Sequence, residues 1–224
     1  MKLSKYIDNT LLKPTATQKD IQDFALKSLK YDFAAICILP GHIEFARDIL
    51  RDSGVRIATV IGFPLGLSTL KVKMYEAEEA MILGAQEIDM VINISWMQDK
   101  RLDRIKEEIQ AIRRIVKGYG DEKVIKVIIE TCYLNREEIA TISLICKEVA
   151  VDYVKTSTGF GPSGARVEDV VLLKEILGDF PEIKASGGIR SYEDAQKFIR
   201  AGAMRLGTSN GFQIVDESVE IKRS

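Results

Sequence analysis

Short apolar segments alternate with longer amphipathic segments along the whole chain. The short segments are rich in Val and Ile, and several are apolar at nearly every position, which is typical of strands buried on both faces of a parallel sheet. Their lengths also suit strands better than helices. Eight strands are predicted in this way, at residues 6–12, 33–39, 56–61, 87–92, 123–129, 152–157, 183–186 and 204–206.

The segments between these strands carry helical patterns. The clearest is 99–117, where apolar residues recur at spacings of three and four, as on the buried face of a helix. Gly118 follows directly, and we expect it to cap the end of that helix. Three further pairs resemble the first turn of a capped helix, namely Thr17 with Asp20, Asn135 with Glu138, and Ser191 with Asp194.

Regular alternation of strands and helices indicates a parallel sheet joined by right-handed crossovers. Eight such units within 224 residues fit a compact α/β fold of the (β/α)8 TIM barrel type. An open, doubly wound sheet is the alternative. No linker or shift in composition divides the chain, so we expect residues 1–224 to form a single barrel domain.

Composition narrows the possible functions. Lys and Arg together number 32 against 33 for Asp and Glu, giving a formal charge of −1, and this argues against nucleic-acid partners, which require a basic surface. His42 is the only histidine, which excludes a metal site with two histidine ligands. The three cysteines form no CxxC pair and are interpreted as buried, reduced thiols.

The start of the chain runs straight into charged residues, without the apolar segment of a signal peptide. No apolar run approaches the roughly 18 residues that a membrane span requires. We therefore expect a soluble, cytoplasmic protein that does not contact a membrane.

Three charged residues lie within predicted strands that should be apolar: Asp89, Lys155 and Lys184. Lysine is seldom fully buried without a partner, and burial can lower its pKa by roughly 3–5 units. Two such lysines on neighbouring strands lower each other's pKa further. A neutral amine attacks carbonyl groups, so this arrangement suits a Schiff-base enzyme. Alternatively, each lysine reaches the barrel rim or pairs with a carboxylate.

Glycine-rich loops follow the last three predicted strands. They contain Gly159, Gly187 and Gly188, and then the segment 207–211. Glycine lets backbone amides approach an anion closely, and barrels often bind phosphate in the loops after strands seven and eight. The alternative is that these loops need glycine only in order to turn.

Other polar residues near the predicted strand ends have less specific interpretations. Asp8 and Thr10 can hydrogen-bond a sugar hydroxyl, or they can cap the backbone or pair with Lys13. Glu130 can form a salt bridge with either strand lysine. His42 is interpreted as a surface or capping residue. The turn-rich segment 61–66 is expected at the mouth of the pocket.

Six segments of the chain resemble the deoxyribose-phosphate aldolase family in both order and spacing, and together they extend over nearly the whole sequence. The most specific are Val-Lys-Thr-Ser-Thr-Gly-Phe at 154–160 and Lys-Ala-Ser-Gly-Gly-Ile-Arg at 184–190. The other four are at 7–14, 60–66, 87–93 and 126–132.

The resemblance implies reversible cleavage of 2-deoxy-D-ribose 5-phosphate to D-glyceraldehyde 3-phosphate and acetaldehyde. It implies Lys155 as the Schiff-base lysine, Lys184 as the neighbour that lowers its pKa, and Asp89 as a proton-relay carboxylate. The residues alone leave open which lysine attacks. The positions that match the family's phosphate and substrate contacts are Gly159, Gly187, Gly188, Gly207, Ser209, Asn210, Asp8 and Thr10.

The resemblance further implies that no metal or other cofactor is needed, because the iminium serves as the electron sink. It also implies a homo-oligomer, either a dimer or a tetramer. Three residues depart from the usual family pattern, Asn9, Leu39 and Asn210, and these bear on substrate preference and rate more than on reaction type. Two other functions stay open: a different phosphosugar isomerase or aldolase, and a non-catalytic phosphosugar-binding barrel.

Overall fold

The structure is a computed structural model that describes residues 2–223. Within those residues, eight parallel strands pair in sequence order, and the last pairs with the first to close a barrel. The predicted TIM barrel is therefore confirmed, and the open sheet is excluded. The strands are β1 (Ile7–Leu11), β2 (Ala35–Ile38), β3 (Arg56–Ile61), β4 (Glu87–Val91), β5 (Val124–Ile128), β6 (Tyr153–Lys155), β7 (Glu182–Ser186) and β8 (Arg205–Thr208).

Helices surround the barrel and connect each strand to the next. The connection from β4 to β5 contains two of them, a short helix and a long one. The helices are α1 (Gln18–Tyr31), α2 (Ile43–Leu50), α3 (Leu70–Leu83), α4 (Ile94–Gln98), α5 (Leu102–Gly118), α6 (Arg136–Val149), α7 (Val167–Leu177), α8 (Tyr192–Ala201) and α9 (Gly211–Arg223). Within residues 2–223, no helix is long and apolar enough to cross a membrane.

All three predicted capping pairs are confirmed. In each pair the side chain of the first residue accepts a hydrogen bond from the backbone amide of the second. The side chain of the second residue accepts a hydrogen bond from the backbone amide of the first. These capping boxes satisfy amides that a helix start otherwise leaves without partners. They begin α1, α6 and α8, and so they determine where three of the loops at the top of the barrel end.

The boundaries of the long helix differ from the prediction. α5 begins at Leu102 rather than at residue 99, because Lys100 adopts a left-handed backbone conformation, with φ 56°, that separates α4 from α5. Gly118 is the last helical residue and not the cap, so that prediction is wrong. Beyond the end of α5, it is Gly120 and not Gly118 that has a positive φ, at 139°.

Inward and outward residues alternate along every strand, as the pleat requires. Outward-facing residues such as Ile36, Ile88 and Val127 form one large core with the surrounding helices. The inward positions of β2 and β3 form a smaller apolar cluster that includes Cys37 and Val60. The remaining strands contribute charged side chains to the barrel interior.

The cysteine prediction is confirmed at two positions of three. Cys37 and Cys146 are buried free thiols, whereas Cys132 is free but partly exposed. The difference arises because Cys132 lies in a short 3-10 helix that follows β5, beyond the apolar strand. The expectation that residues 1–224 form a single domain stays a prediction, and Met1 and Ser224 lie outside the described residues.

The capping box of α1 makes a prediction about stability. We expect Thr17→Ala to lower the free energy of unfolding by about 1 kcal/mol, because the Asp20 amide loses the hydroxyl that accepts its hydrogen bond. Equilibrium denaturation in urea measures the change. Thr15→Ala is the matched control, since Thr15 is exposed and lies outside the box. Equal stability of the two variants would contradict the prediction.

Candidate active site

Two lysines and an aspartate meet inside the barrel near the carboxyl ends of their strands. Lys155 on β6 and Lys184 on β7 are partners in the strand register, and both lie against Asp89 of β4. The Nζ atoms of Lys155 and Lys184 each donate to the same oxygen, Asp89 Oδ2, at 2.7 Å. Lys184 Nζ also donates to Asp8 Oδ2 at 2.5 Å. The structure therefore brings together the three residues that the sequence singled out as misplaced charges.

A second layer of charges lies beneath this group. Lys126 Nζ contacts Asp89 Oδ1 at 2.8 Å and Glu87 Oε2 at 2.5 Å. The Arg205 guanidinium donates to Asp8 Oδ1 at 2.5 Å and to Glu87 Oε2 at 3.2 Å. All five of these side chains are buried. Each carboxylate thus meets at least two cations, which offsets the cost of removing it from water.

The network affects its two upper lysines in opposite directions. Burial lowers the pKa of Lys155, and the Lys184 charge lowers it further, while Asp89 opposes both. Burial also disfavours the Lys184 ammonium, but Asp8 and Asp89 outweigh it and raise the pKa of Lys184. Although burial favours the protonated form of Asp89, the lysines hold the pKa of this carboxyl well below its usual range. Among these groups, Lys155 is therefore the amine that loses its proton most readily.

Counting the charges gives the same result. Besides Arg56, which is 40% exposed and contacts Glu87 Oε1 at 3.5 Å, the buried network contains four cations, Lys126, Lys155, Lys184 and Arg205, and three carboxylates, Asp8, Glu87 and Asp89. With all seven ionised, one positive charge is in excess. Loss of the Lys155 proton leaves three cations and three anions, so the neutral amine is the balanced state of the site.

A cavity of about 400 Å³ opens above Lys155 at the carboxyl ends of the strands. This volume suits a small metabolite. Most of the predicted substrate contacts line it, namely Thr10, Gly159, Gly187, Gly188, Gly207, Ser209 and Asn210. Two exposed cations that the sequence analysis did not single out for ligand binding, Lys13 and Arg190, also lie in its wall and favour an anionic ligand.

The far wall of the cavity is the start of a helix. Ser209 and Asn210 come directly before α9, and the Asn210 carbonyl accepts the hydrogen bond of the Ile214 amide. Helix starts carry partial positive charge and favour anions. Asn210 N donates to Thr208 Oγ1 at 2.9 Å, which holds this turn in place. The asparagine at position 210 is therefore compatible with an anion site.

Some predicted residues lie elsewhere. Asp8 is buried and does not line the cavity, because its carboxylate accepts hydrogen bonds from Lys184 and Arg205 inside the barrel. Asn9 faces outward, where its amide donates to Ser28 Oγ, so this departure from the family pattern does not reach the cavity. The salt bridge that Glu130 could form with a strand lysine is not present, and its carboxylate instead accepts hydrogen bonds from Thr158.

Three further residues lie at the mouth of the barrel and near its rim. His42 precedes α2, and its side chain makes no capping hydrogen bond. Phe63, from the turn-rich segment after β3, does not line the cavity but packs edge-on against Phe160 with ring centroids 5.2 Å apart. Leu39 packs on the apolar cluster of β2 and β3.

Three members of the buried network were missed as candidates: Glu87, Lys126 and Arg205. The sequence contains a signal for the first of them, because Glu87 and Asp89 are two apart in one strand and therefore point the same way. Lys126 lies in the middle of the apolar run Val-Ile-Lys-Val-Ile, as Lys155 and Lys184 lie in theirs. Arg205 opens β8, and only closure of the barrel reveals its partners.

In the part of the chain that the structure describes, the buried acidic residues do not form a metal-binding cluster. Within residues 2–223, no group of three or more His, Cys, Asp or Glu side chains is arranged to hold a metal ion. The carboxylates inside the barrel instead face lysine and arginine.

Similarity to known proteins extends over nearly the whole chain. Residues 3–215 match the model of the DeoC/LacD family of aldolases. The chain is 50% identical to a deoxyribose-phosphate aldolase of Caldanaerobacter subterraneus subsp. tengcongensis over 217 residues, which is 97% of this chain and 94% of that protein.

Solved structures agree with this result. The chain is similar to QR15, an aldolase, with 42% identity and a TM-score of 0.91, covering 100% of this chain and 98% of the other. It is also similar to a deoxyribose phosphate aldolase from Aeropyrum pernix, which is described as having a unique tetrameric structure. The identity is 32% and the TM-score 0.89, over 98% of this chain and 92% of the other.

The charge count makes a prediction about Lys155. We expect Lys126→Met to raise the pKa of the Lys155 amine, because the Lys155 ammonium then becomes the third cation that balances three carboxylates. The amine of this variant is therefore neutral only at higher pH than in the unmodified protein. NMR of lysine labelled with carbon-13 at Cε measures this pKa directly.

Lys106→Met is the control for that measurement. Lys106 pairs with Glu148 at the protein surface, so its removal alters the total charge equally but leaves the barrel interior unchanged. An unchanged Lys155 pKa in Lys126→Met, or an equal rise in both variants, would contradict the prediction.

Proposed function

The chain belongs to the DeoC/LacD aldolase family, and on that premise we propose that it cleaves 2-deoxy-D-ribose 5-phosphate reversibly to D-glyceraldehyde 3-phosphate and acetaldehyde through a lysine Schiff base. The observation that carries this proposal is the state of Lys155. It is a buried lysine in the cavity wall with a lowered pKa, in a network that is balanced when its amine is neutral.

The first step is attack of the neutral Lys155 amine on the aldehyde carbon, C1 of the open-chain sugar. The resulting carbinolamine loses water to form an iminium ion, for which its oxygen must gain a proton. Asp89 Oδ2 is within hydrogen-bond distance of both Lys155 and Lys184. We assign to this oxygen the transfer of protons between the reacting nitrogen and the Lys184 ammonium.

The iminium then acts as an electron sink for carbon–carbon cleavage. The C3 hydroxyl loses its proton, the C2–C3 bond breaks, and D-glyceraldehyde 3-phosphate leaves while an enamine stays on Lys155. Protonation of the enamine at C2 regenerates an iminium, and water hydrolyses it to release acetaldehyde and the free amine. The water lost in the first step is thereby returned, and the protons balance within the site.

The phosphate of the substrate is assigned to the glycine-rich end of the cavity. Gly187, Gly188 and Gly207, together with Ser209 at the start of α9, supply backbone amides and the polarity of a helix start there. Fixing the phosphate at this end directs the aldehyde end toward Lys155 and reduces the entropy lost in reaching the transition state. Thr10 is assigned to a sugar hydroxyl.

Asp8 has a different role from the one expected from sequence. Its carboxylate contacts Lys184 and Arg205 and is absent from the cavity wall. We assign it to holding Lys184 in the ammonium form, which in turn keeps the Lys155 pKa low. Asp8 therefore acts through Lys184 and not on the sugar.

Metal-independent chemistry is part of the proposal. The carboxylates nearest the reacting lysine each bind two or more cations of the protein, so a metal ion would have to displace those lysines.

Assembly into a homo-oligomer is also proposed. The Aeropyrum pernix relative is described as tetrameric, and large apolar side chains are exposed on and before α3, at Leu65, Leu67, Tyr75 and Ile82. Such a surface is typical of a contact between protein subunits.

Chemical trapping tests the Schiff base. We expect acetaldehyde with borohydride to leave an ethyl group on Lys155, located by mass spectrometry of peptides, because reduction fixes the iminium. Lys155→Leu should abolish both this adduct and sugar cleavage, whereas Lys106→Leu, at the surface, should alter neither. Cleavage that persists in Lys155→Leu, or an adduct confined to other lysines, would contradict the assignment. A phosphosugar isomerase or a non-catalytic binding barrel would show no carbon–carbon cleavage.

Chelation tests metal independence. We expect the cleavage rate to stay unchanged after dialysis against EDTA, since the iminium supplies the electron sink. The rate is followed through coupled reduction of D-glyceraldehyde 3-phosphate, with the coupling enzymes checked separately in EDTA. Loss of activity that zinc restores would overturn this part of the proposal.

A further inference from the structure

Glu130 is a buried carboxylate for which the proposed reaction has no use. It lies two residues beyond the end of β5, it is only 2% exposed, and its backbone lies in the left-handed region with φ 52° and ψ 67°. This conformation is unfavourable for a residue that carries a Cβ atom. Such strain persists only where surrounding contacts hold the residue in place, and it is concentrated at functional sites.

Besides a hydrogen bond with the neighbouring Cys132 side chain, the contacts of the Glu130 carboxylate lead to the loop after β6. Both oxygens accept hydrogen bonds from the Thr158 amide, at 3.2 and 3.3 Å, and Oε2 also accepts from the Thr158 hydroxyl. Thr158 Oγ1 in turn accepts from the Phe160 amide at 3.0 Å. One carboxylate thus fixes residues 158–160, and all three of these residues line the cavity.

The same loop is packed closely on Glu130 from above. A Cβ atom placed on Gly161 would lie 3.4 Å from Glu130 Cδ and 2.9 Å from Cys132 Sγ. The left-handed backbone of Glu130 is what aims its side chain across to β6 instead of into the barrel. Glu130 itself does not line the cavity, so its negative charge is turned away from the ligand.

Fixing this loop also fixes its distance from the next one. Gly159, at φ 85°, lies against Gly187 of the loop after β7, and a Cβ on Gly187 would come 3.4 Å from Gly159 Cα. The Ala165 amide donates to Ser186 and Gly187 carbonyls at 3.0 and 3.1 Å. The position of the glycines at the anion end of the cavity therefore depends on the loop that Glu130 holds.

We propose that Glu130 is a positioning residue that sets the preference for phosphorylated over unphosphorylated substrate, by holding the loop after β6 against the loop after β7. The proposal rests on the proposed function, because it takes the glycine-rich end of the cavity as the phosphate site. Glu130 acts through Thr158 and does not touch the substrate. Its removal should therefore weaken recognition of the phosphate and leave the lysine chemistry intact.

The test compares kcat/KM for 2-deoxyribose 5-phosphate and for 2-deoxyribose in Glu130→Gln. Loss of charge-assisted hydrogen bonds to Thr158 should lower the ratio of the two values by about tenfold. The loss should appear as a higher KM for the phosphorylated sugar. The rate for the unphosphorylated sugar, and borohydride trapping of acetaldehyde at Lys155, should be unchanged, since neither uses the phosphate.

Thr158→Val tests the same connection from its other end and keeps the side-chain shape. It should lower the ratio by a similar factor, and the double variant should be no worse than the more affected single variant, because both changes break one chain of hydrogen bonds. If Glu130→Gln does not fold, Thr158→Val alone decides the question.

Asp152→Asn is the matched control. Asp152 also joins β5 and β6, since its carboxylate accepts from the Ile125 amide at 2.8 Å, but it does so at the opposite end of the strands. A loss of general stability would affect both variants, whereas only Glu130→Gln should lower the ratio.

If the wild-type protein prefers the phosphorylated sugar, then equal losses for both sugars in Glu130→Gln, or an unchanged ratio in that variant, would overturn the role of Glu130 alone. A wild-type protein that traps acetaldehyde but shows no preference for the phosphorylated sugar would overturn both the phosphate assignment and this inference. A wild-type protein that neither traps acetaldehyde nor cleaves either sugar would overturn the proposed function itself.

Discussion

Inside the barrel, three buried carboxylates share four buried cations, and the unequal count determines the character of the site. Burial makes any unbalanced charge costly, so the network is most stable when one cation gives up its proton. Arginine does not do so in proteins. Lys126 and Lys184 each contact two carboxylates within 3 Å, whereas Lys155 contacts only Asp89 at that distance. The lysine with the fewest anionic partners is also the one at the cavity.

The barrel produces this imbalance by dividing its interior into two halves. The inward positions of β2 and β3 are apolar except for Arg56 at the start of β3, which contacts Glu87, so no carboxylate approaches Lys155 from that side. Cys37, which lies there, adds no negative charge at neutral pH, because burial raises the pKa of its thiol to about 11. The charged half rests on β1 and on β4 to β8, and the depth of each residue along its strand sets which cation meets which anion.

Much of the fold follows from local pattern, while most of the contacts at the site do not. Capping pairs involve residues three apart, and the strand at 56–61 is delimited by its own composition, so both can be predicted from the sequence. The importance of Lys155 and Lys184 is also legible, since each is a single charge within an apolar strand. By contrast, a nearly continuous apolar run does not show which residues face inward. The sequence therefore does not predict that Lys126 and Glu87 point into the barrel and contact the site. The partner of Glu130 cannot be predicted in this way, because a left-handed residue turns its side chain away from the direction that strand alternation implies.

The pairing of Asp8 with Arg205 joins two residues that are 197 positions apart, on the first and last strands of the barrel. Arg205 contacts two carboxylates, Asp8 and Glu87. Both contacts require that β8 has closed against β1. A chain folded only as far as β7 therefore holds three lysines against three carboxylates, a set that is balanced with every lysine protonated. The excess positive charge that favours a neutral Lys155 amine is thus a property of the closed barrel, because the first and last strands must meet before Arg205 joins the network.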